Sequence, residues 1–425
     1  MTQSVLLQAE LSALVGAAHA SATSSDDMVD GLQPQLIVEP GDVDELSAVL
    51  RWANDAGVHV LPRGGGTKQG WGNAPHGGEL ILSTRRLNQV LEHAWGDMTA
   101  SAQAGCTVEA FNLRLAEHGQ QLALDPLWPN QATIGGVLSV NDSGALRLRY
   151  GSLRDLIIGI TIVLPDGTIA RSGGKVVKNV AGYDLPKLLT GSFGTLGVIV
   201  DATFRLYPLP HALRTVTINA PNAALANELL LRVLDSTLVP VSMQLRAGSG
   251  RPLQLDICFV GSTAAINVQT EQLARLCLAM GCVAETAADE LVPWQAREAL
   301  WAGDSGAVVC KMSLLPAQQA LLVAEVERLT TALRLQWELV TQAVGVGTVR
   351  LAGANDQVLM VGLKLLRSWA EAQGGSLVVL AAPTTVKQRI DVWGQAPAAL
   401  PVMRRVKEHF DPHGILNPGR FVGGI

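Results

Sequence analysis

The sequence predicts a mixed α+β chain in two parts: a layer of strands and helices, then an internally duplicated region. Two observations carry this. A strand–helix–strand order at 35–61 runs into the glycine-rich loop LPRGGGTKQGWG at 61–72. Beyond Pro208 and Pro210, the order strand, helix, strand, strand, helix, strand occurs twice with matching lengths over 211–395. The chain has 425 residues, 48% hydrophobic and 16% charged, so each part has ample apolar side chain for a core.

In order along the chain, 5–18 reads as a helix and 19–33 as a polar connector. A short strand at 35–38 stops at Pro40 and Gly41. Asp42 and Glu45 have the capping-box spacing, and apolar residues at helical spacing predict a helix over 43–56, ended by Gly57. A strand at 59–61 follows, parallel to the first. At its end stand Gly64, Gly65 and Gly66, between Pro62, Arg63 and Thr67, Lys68. Ordering three glycines is costly, which suits a backbone that must approach something closely. Consecutive exposed N–H groups in such a loop make a concave anion site, and Arg63 and Lys68 add positive charge. A surface turn with incidental glycines is the alternative.

Strands at 80–83 and 99–102, a helix at 107–118 and an extended stretch at 122–124 lead to a second unusual loop, DPLWPNQATIGGVLSVNDSG, 125–144. Pro126 and Pro129 exclude regular structure at its start. Thr133 then precedes Ile134, Gly135 and Gly136, where another close backbone approach is expected. After Tyr150 and Gly151 comes the apolar strand 156–164, a Pro165–Asp166–Gly167 turn and a returning strand at 168–171. A third glycine-bearing patch spans 173–210, with a short helix at 185–189, the loop GSFGTLG at 191–197 and a strand at 198–206.

The two repeats comprise strands at 215–219, 241–245, 253–259 and 282–286 with helices 223–234 and 264–280, then strands at 308–313, 335–340, 347–351 and 377–381 with helices 316–333 and 357–373. Each has the ferredoxin-like split βαβ order, and the pair is expected to form one antiparallel sheet with helices on a face. A last helix, 400–410, leads into DPHGILNPGRF at 411–421. The expected divisions are 1–33, 34–210, 211–395 and 396–425.

Composition excludes several classes. A net charge of −5 offers no basic footprint for nucleic acid. No apolar run reaches the ~20 residues of a membrane span. The apolar run within 11–22 lacks the positive flank of a secretory leader, since no Lys or Arg precedes Arg51. A cytoplasmic protein is expected. Cys106, Cys258, Cys277, Cys282 and Cys310 are an odd, dispersed set without C-x-x-C, pointing to reduced thiols and against an iron–sulfur cluster on this chain.

Singly the loops are weak signals: GSFGTLG lacks the spacing of a dinucleotide fingerprint, and no nucleoside-triphosphate loop is present. Taken in order, PRGGGTK (62–68), PNQATIGGVLSVNDSG (129–144) with Tyr150, Gly151 and Asp155, KNVAGYDLPKLLTGSFGTLGVI (178–199) and DPHGILNPGRF resemble the vanillyl-alcohol-oxidase-like flavoproteins with a PCMH-type FAD-binding domain. The resemblance covers 34–210 and the tail. It implies a two-lobed FAD-binding domain, a cap made of the duplicated halves, and FAD held by Pro62, Arg63, Gly64, Gly65, Gly66, Thr67, Lys68, Pro129, Thr133, Ile134, Gly135, Gly136, Asn141, Ser143, Gly144, Gly151, Asp155, Gly197, Val198 and Ile199. Members that attach FAD covalently carry a His in or near the first loop. Gly and Thr stand there in this chain, so FAD is expected to be non-covalent.

Within that family the chain resembles FAD-binding subunits of bacterial glycolate oxidase complexes. That implies oxidation of a small 2-hydroxy acid alongside a catalytic FAD sister subunit and an iron–sulfur subunit, with any membrane association made through partners. A self-sufficient FAD-dependent 2-hydroxyacid dehydrogenase and a structural subunit with a vestigial cofactor site are the alternatives. Related dehydrogenases carry the His-bearing stretch H-x-G-D-G-N-x-H in the cap. The comparable stretch here, VGVGTVRLAGAND at 344–356, has no His. No metal site is therefore expected, and His409 and His413 read as a solvated helix-end pair. Arg350, Lys178 and Lys311 are candidates for a substrate carboxylate, each equally a surface charge. No catalytic base is identified; for Tyr183 and Asp184 a structural hydrogen bond is the expected role.

Overall fold

A computed structural model of the chain describes residues 3–174, 183–303, 306–353 and 355–425. The chain divides into two compact units, Met1–Ser143 with Ser152–Leu209 and Gln395–Ile425, and Gly144–Gly151 with Pro210–Gly394. The segment 144–151 thus clusters with the duplicated region, away from its sequence neighbours.

In the first unit, helix Val43–Ala56 is fixed at both ends by local chemistry. Asp42 accepts hydrogen bonds from the backbone N–H groups of Asp44 (3.0 Å) and Glu45 (2.8 Å), and Gly57 closes the helix at φ +66°. Glu45 reaches past the cap to accept from Gly41 N–H at 2.6 Å, one residue upstream of the usual capping-box partner. The apolar stripe Leu46, Val49, Leu50 and Ala53 is fully buried.

The adjoining sheet runs Ala20–Ala22, Leu36–Val38, Leu80–Ser83, Val60–Arg63. The expected parallel pair, 35–38 and 59–61, is therefore not a pair of neighbours. Leu80–Ser83 lies between them and pairs in parallel with both. It is the strand buried along its whole length, and a central parallel strand needs apolar residues on both faces. Ala20–Ala22, within the stretch read as connector, adds an antiparallel edge. At the other edge the C-terminal return docks: Val60 N–H donates to Ile415 O (2.8 Å) and Asn417 N–H donates to Val60 O (3.0 Å). This covers an edge that would otherwise be left open.

A second sheet of the first unit is antiparallel, in the order Val90–Ala94, Thr99–Gln103, Val198–Arg205, Ile157–Val163, Ile169–Gly173. Its edge strand Val90–Ala94 has no apolar alternation and gave no sequence signal. Helix Ile134–Val140 was also unexpected, because its two glycines and β-branched residues oppose helix formation.

The second unit holds one eight-stranded sheet, ordered Ala284–Thr286, Ala212–Asn219, Arg251–Gly261, Ser242–Gly248, Gln336–Gln342, Val346–Ala352, Val308–Ser313, Ser376–Ala381. Every pairing is antiparallel, and each half has the ferredoxin-like order. The halves join where Gln244 faces Gln342. Leu245, Leu339, Val349 and Leu351 pack on Leu322, Val326, Leu359, Leu363 and Leu366 of the helices Gln319–Leu333 and Asp356–Ala372. The alternate positions carry polar groups; Arg246 binds Asp256 through Nε (2.6 Å) and Nη2 (2.8 Å). All five cysteines are buried free thiols, and burial pushes Cys310 up to about 12.

The Asp42 cap makes the helix Val43–Ala56 a local test of the first unit. Asp42→Ala should destabilise the protein by about 0.5–2 kcal/mol in denaturant unfolding followed by circular dichroism, with the same slope against denaturant as the parent.

Candidate functional site

The glycine loop leaves the end of strand Val60–Arg63 and is pressed against the second loop. A Cβ placed on Gly64 would stand 2.0 Å from Thr133 Oγ1, and one on Gly65 would stand 1.9 Å from the backbone oxygen of Gln131. No side chain fits at either position. The close approach inferred from the glycines is therefore made first to another protein loop. Gly135 repeats the pattern, with a Cβ there 2.8 Å from Ala104 Cβ. The third patch joins them: Phe193 N–H donates to Ser139 O (2.8 Å) and Gly191 N–H to Leu138 O (2.9 Å).

The C-terminal return locks the arrangement. Arg420, 2% exposed, donates from Nη2 to the backbone oxygens of Gln69 and Trp71. Burial pulls its pKa down to about 10, against the attraction of Asp30. Asn417 Nδ2 donates to Phe193 O at 2.7 Å. Upstream, buried Asp411 accepts from Ile415 N–H (3.1 Å), Leu416 N–H (2.8 Å) and Lys407 Nζ, and Lys407 Nζ also donates to Thr195 O at 2.9 Å. Burial lowers the Lys407 pKa despite the Asp411 carboxylate beside it.

These four segments enclose one cleft within the first unit. Residues 62–68 line it, as do Thr133, Gly135, Gly136, Gly197, Val198 and Ile199. Sequence reasoning missed Gln69, Thr84, Ala104, Ala132, Val137, Ser139, Val140, Phe193, Gly194, Asn417 and Arg420. All of these but Thr84 and Ala104 stood inside quoted motifs; those two carry no local signal.

Seven expected residues lie elsewhere. Pro129 O receives Glu109 N–H, anchoring the helix Val108–Ala116. Ile134 is buried in the core and Ser143 is buried outside the cleft lining. Asn141 caps Ile134–Val140 at φ +52°. Gly144 and Gly151 bound the segment that clusters with the second unit. Asp155 accepts from Ser152 N–H and Oγ, both at 2.8 Å, as a helix cap. The amides of 134–136 are also already engaged, with Cys106 O, Ala104 O and Thr133 Oγ1 as acceptors.

Electrostatics correct the role given to the two loop cations. Arg63 Nη1 binds Asp27 Oδ1 at 2.6 Å. Burial raises the Asp27 pKa, but the Ser24 N–H and Arg63 outweigh it and hold the carboxyl below its usual value. Lys68 is buried, 3.4 Å from Asp142 and 3.1 Å from Leu127 O, with Trp128 and Trp71 rings beside it. Both charges are thus spent inside the protein. What the loop offers instead is backbone: among the described residues, the N–H groups of Gly64, Gly65, Gly66 and Thr67 donate to no protein acceptor. Four adjacent donors of this kind suit an anion with several oxygens.

A family model described as an FAD binding domain matches residues 34–173, and one described as the C-terminal domain of FAD linked oxidases matches 394–421. The first spans the glycine loop, the second spans Asn417 and Arg420. The chain carries an FAD-binding domain. It is 34% identical over 211 residues to the glycolate oxidase subunit GlcD of Bacillus subtilis, half of this chain and 45% of that protein. It is 28% identical over 428 residues to the D-2-hydroxyglutarate dehydrogenase of Xanthomonas citri pv. viticola, 91% of this chain and 89% of that protein. The chain thus spans less than half of the first relative and most of the second. In fold it is similar to p-cresol methylhydroxylase, with a TM-score of 0.78 at 17% identity, covering 99% of this chain and 97% of that one.

FAD fits the cleft: the free amides of 64–67 would suit a diphosphate, and the buried Arg63 Nε, Gln69 Nε2 and Asn417 Oδ1 of the lining residues have no protein partner among the described residues. The substrate-side candidates are less gathered. Arg350 and Lys311 are in the second unit, facing Val309 and Thr348 across strands; Lys178 lies outside the described residues. Asp184 caps helix Leu185–Leu189 and binds Lys187 at 2.7 Å, and Tyr183 is 90% exposed. In strand Val346–Ala352, Val349 and Leu351 serve the core. No helix among the described residues is long and apolar enough to cross a membrane, and no group of three or more His, Cys, Asp or Glu is placed to hold a metal ion.

The Asp27–Arg63 pair gives a pH signature. Asp27→Asn should lower stability at neutral pH. Because the folded carboxyl has the lower pKa, its contribution is complete above the unfolded value of about 3.9 and disappears as pH falls through the folded value. Unfolding curves of parent and variant between pH 7 and pH 2 should therefore converge at the acid end.

Proposed function

We propose that this chain binds FAD non-covalently, with its diphosphate on the 64–67 amides, and serves in oxidising a 2-hydroxy acid to a 2-oxo acid. The observation that carries the cofactor placement is the run of four partnerless amides at the end of a parallel strand, in the matched FAD-binding segment. The non-covalent reading is supported by the cleft lining, which among the described residues holds no His, Cys or Tyr. Bound FAD supplies a two-electron acceptor for the hydride lost from the carbon that bears the hydroxyl. The substrate class is supported by relatives named for glycolate, D-2-hydroxyglutarate and D-lactate.

We read the chain as the FAD-binding subunit of a glycolate-type complex, with a catalytic FAD sister subunit and an iron–sulfur subunit as partners. Two features support this. The cap stretch 344–356 lacks the histidines of the self-sufficient dehydrogenases, and the cysteines are dispersed and buried, so a cluster belongs on another chain. A self-sufficient dehydrogenase is the second reading, favoured by the match along nine-tenths of both chains to a D-2-hydroxyglutarate dehydrogenase.

Acid precipitation of the purified chain should release all yellow colour into the supernatant; colour left on the pellet would overturn non-covalent binding. Anaerobic addition of glycolate, D-lactate or D-2-hydroxyglutarate to the isolated chain should leave its flavin absorbance near 450 nm (about the usual flavin maximum) largely intact. Prompt bleaching by any one of them would favour the self-sufficient reading. Gly65→Val, which drives a side chain into the Gln131 backbone, should abolish FAD retention, with circular dichroism reporting whether the chain still folds. A folded variant that keeps FAD would remove the diphosphate from this loop.

A further inference from the structure

Two residues that line the cleft carry buried, partnerless polar atoms of opposite kind. Asn417 is 4% exposed, and its Oδ1 is buried without a donor. Gln69 Nε2 is buried without an acceptor. The Asn417 amide and the backbone that carries Gln69 are both held in place. Asn417 sits at φ +45° with its backbone N–H on Val60 O (3.0 Å) and its Nδ2 on Phe193 O (2.7 Å), so the amide plane is fixed and Oδ1 points where those bonds leave it. Gln69 N–H donates to Gly66 O at 3.1 Å, while its own carbonyl receives Arg420. Buried polar atoms are rarely left unpaired in native proteins, because their desolvation is then uncompensated. Both residues line the same cleft as the four loop amides.

An isolated acceptor and an isolated donor beside an anion cradle match one chemical group well. A hydroxyl donates once and accepts as well, so it satisfies either atom. FAD carries hydroxyls on both sides of its diphosphate, on the ribityl chain towards the flavin and on the ribose towards the adenine. We propose that Asn417 Oδ1 and Gln69 Nε2 bind hydroxyl groups of FAD adjoining its diphosphate. The C-terminal return is then part of the cofactor site as well as a brace behind it. This rests on the diphosphate lying on the 64–67 loop.

The test uses the full chain, freed of flavin and titrated with FAD by quenching of flavin fluorescence, with ADP as a competing ligand. Gln69→Met removes a group that makes no protein bond, so the melting temperature of the flavin-free protein should stay or rise while the FAD dissociation constant increases about tenfold. Asn417→Gly, which the left-handed backbone tolerates, should weaken FAD by a similar factor, beyond any loss traceable to the flavin-free melting temperature. A variant that weakens FAD and ADP alike assigns its hydroxyl to the ribose; one that weakens FAD alone assigns it to the ribityl chain. Unchanged FAD affinity in Gln69→Met, or an Asn417→Gly effect no larger than its loss of stability, would overturn the proposal. If Gly65→Val loses FAD while both of these variants keep it, this inference alone fails. If a folded Gly65→Val keeps FAD, the diphosphate placement fails and takes this inference with it.

Discussion

The contact on which the cofactor cleft depends is the one between two loops, made by the Gly65 backbone on the Gln131 backbone and by Gly64 on the Thr133 side chain. Gly64 and Gly65 lie so close to Thr133 and Gln131 that no Cβ can be inserted. The pairing holds the first loop flat against the second and leaves the amides of 64–67 without protein partners. A looser loop could satisfy those amides by folding on itself, at the expense of the anion site. Glycine at these positions thus stores no strain; it removes the atoms that would hold the loops apart.

The rest of the site is bracing for that contact. Arg63 and Lys68 look like phosphate-binding cations in sequence, yet Asp27 and Asp142 neutralise them. Their pairing ties the loop to the 24–27 turn on one side and to the 127–142 segment on the other. The tail adds Arg420 on the carbonyls of Gln69 and Trp71, and Lys407 with Asp411 anchors the tail itself. A buried pair of this kind is poor evidence for stability in itself, since desolvation offsets much of the attraction, but breaking it would leave a charge stranded. The glycine loop is therefore shaped by residues up to 351 positions away.

Legibility followed the range of the interaction. Periodicity and caps are local, so Val43–Ala56, Ala223–Leu234, Val308–Ser313 and Leu400–Phe410 appear where the sequence placed them, and the duplicated order yields the single antiparallel sheet. Loop composition likewise marked thirteen of the residues that line the cleft. What failed depended on partners. Ala20–Ala22 is a strand only because Leu36–Val38 offers an edge. Ile134–Val140 is helical against its composition because Thr133 caps it and Gly135 packs on Ala104. The neutralisation of Arg63 and Lys68 spans 36 and 74 residues and leaves no mark in a motif. The insertion of Leu80–Ser83 between the expected parallel pair is a choice among sheet orders that no single strand encodes.

The duplicated unit is clear in architecture and reticent in chemistry: its sheet presents Arg246 on Asp256, Arg350 and Lys311, and the stretch 344–356 has no histidine. The central claim is accordingly about the cofactor, that the backbone of 64–67 and not the loop's cations holds the diphosphate. Amide hydrogen exchange followed by mass spectrometry reads those groups directly. Without flavin the 62–69 peptide should exchange rapidly, as amides without partners do, and FAD should slow it strongly, along with the peptide containing Asn417 and Arg420. Equal exchange in 62–69 with and without saturating FAD would contradict the account.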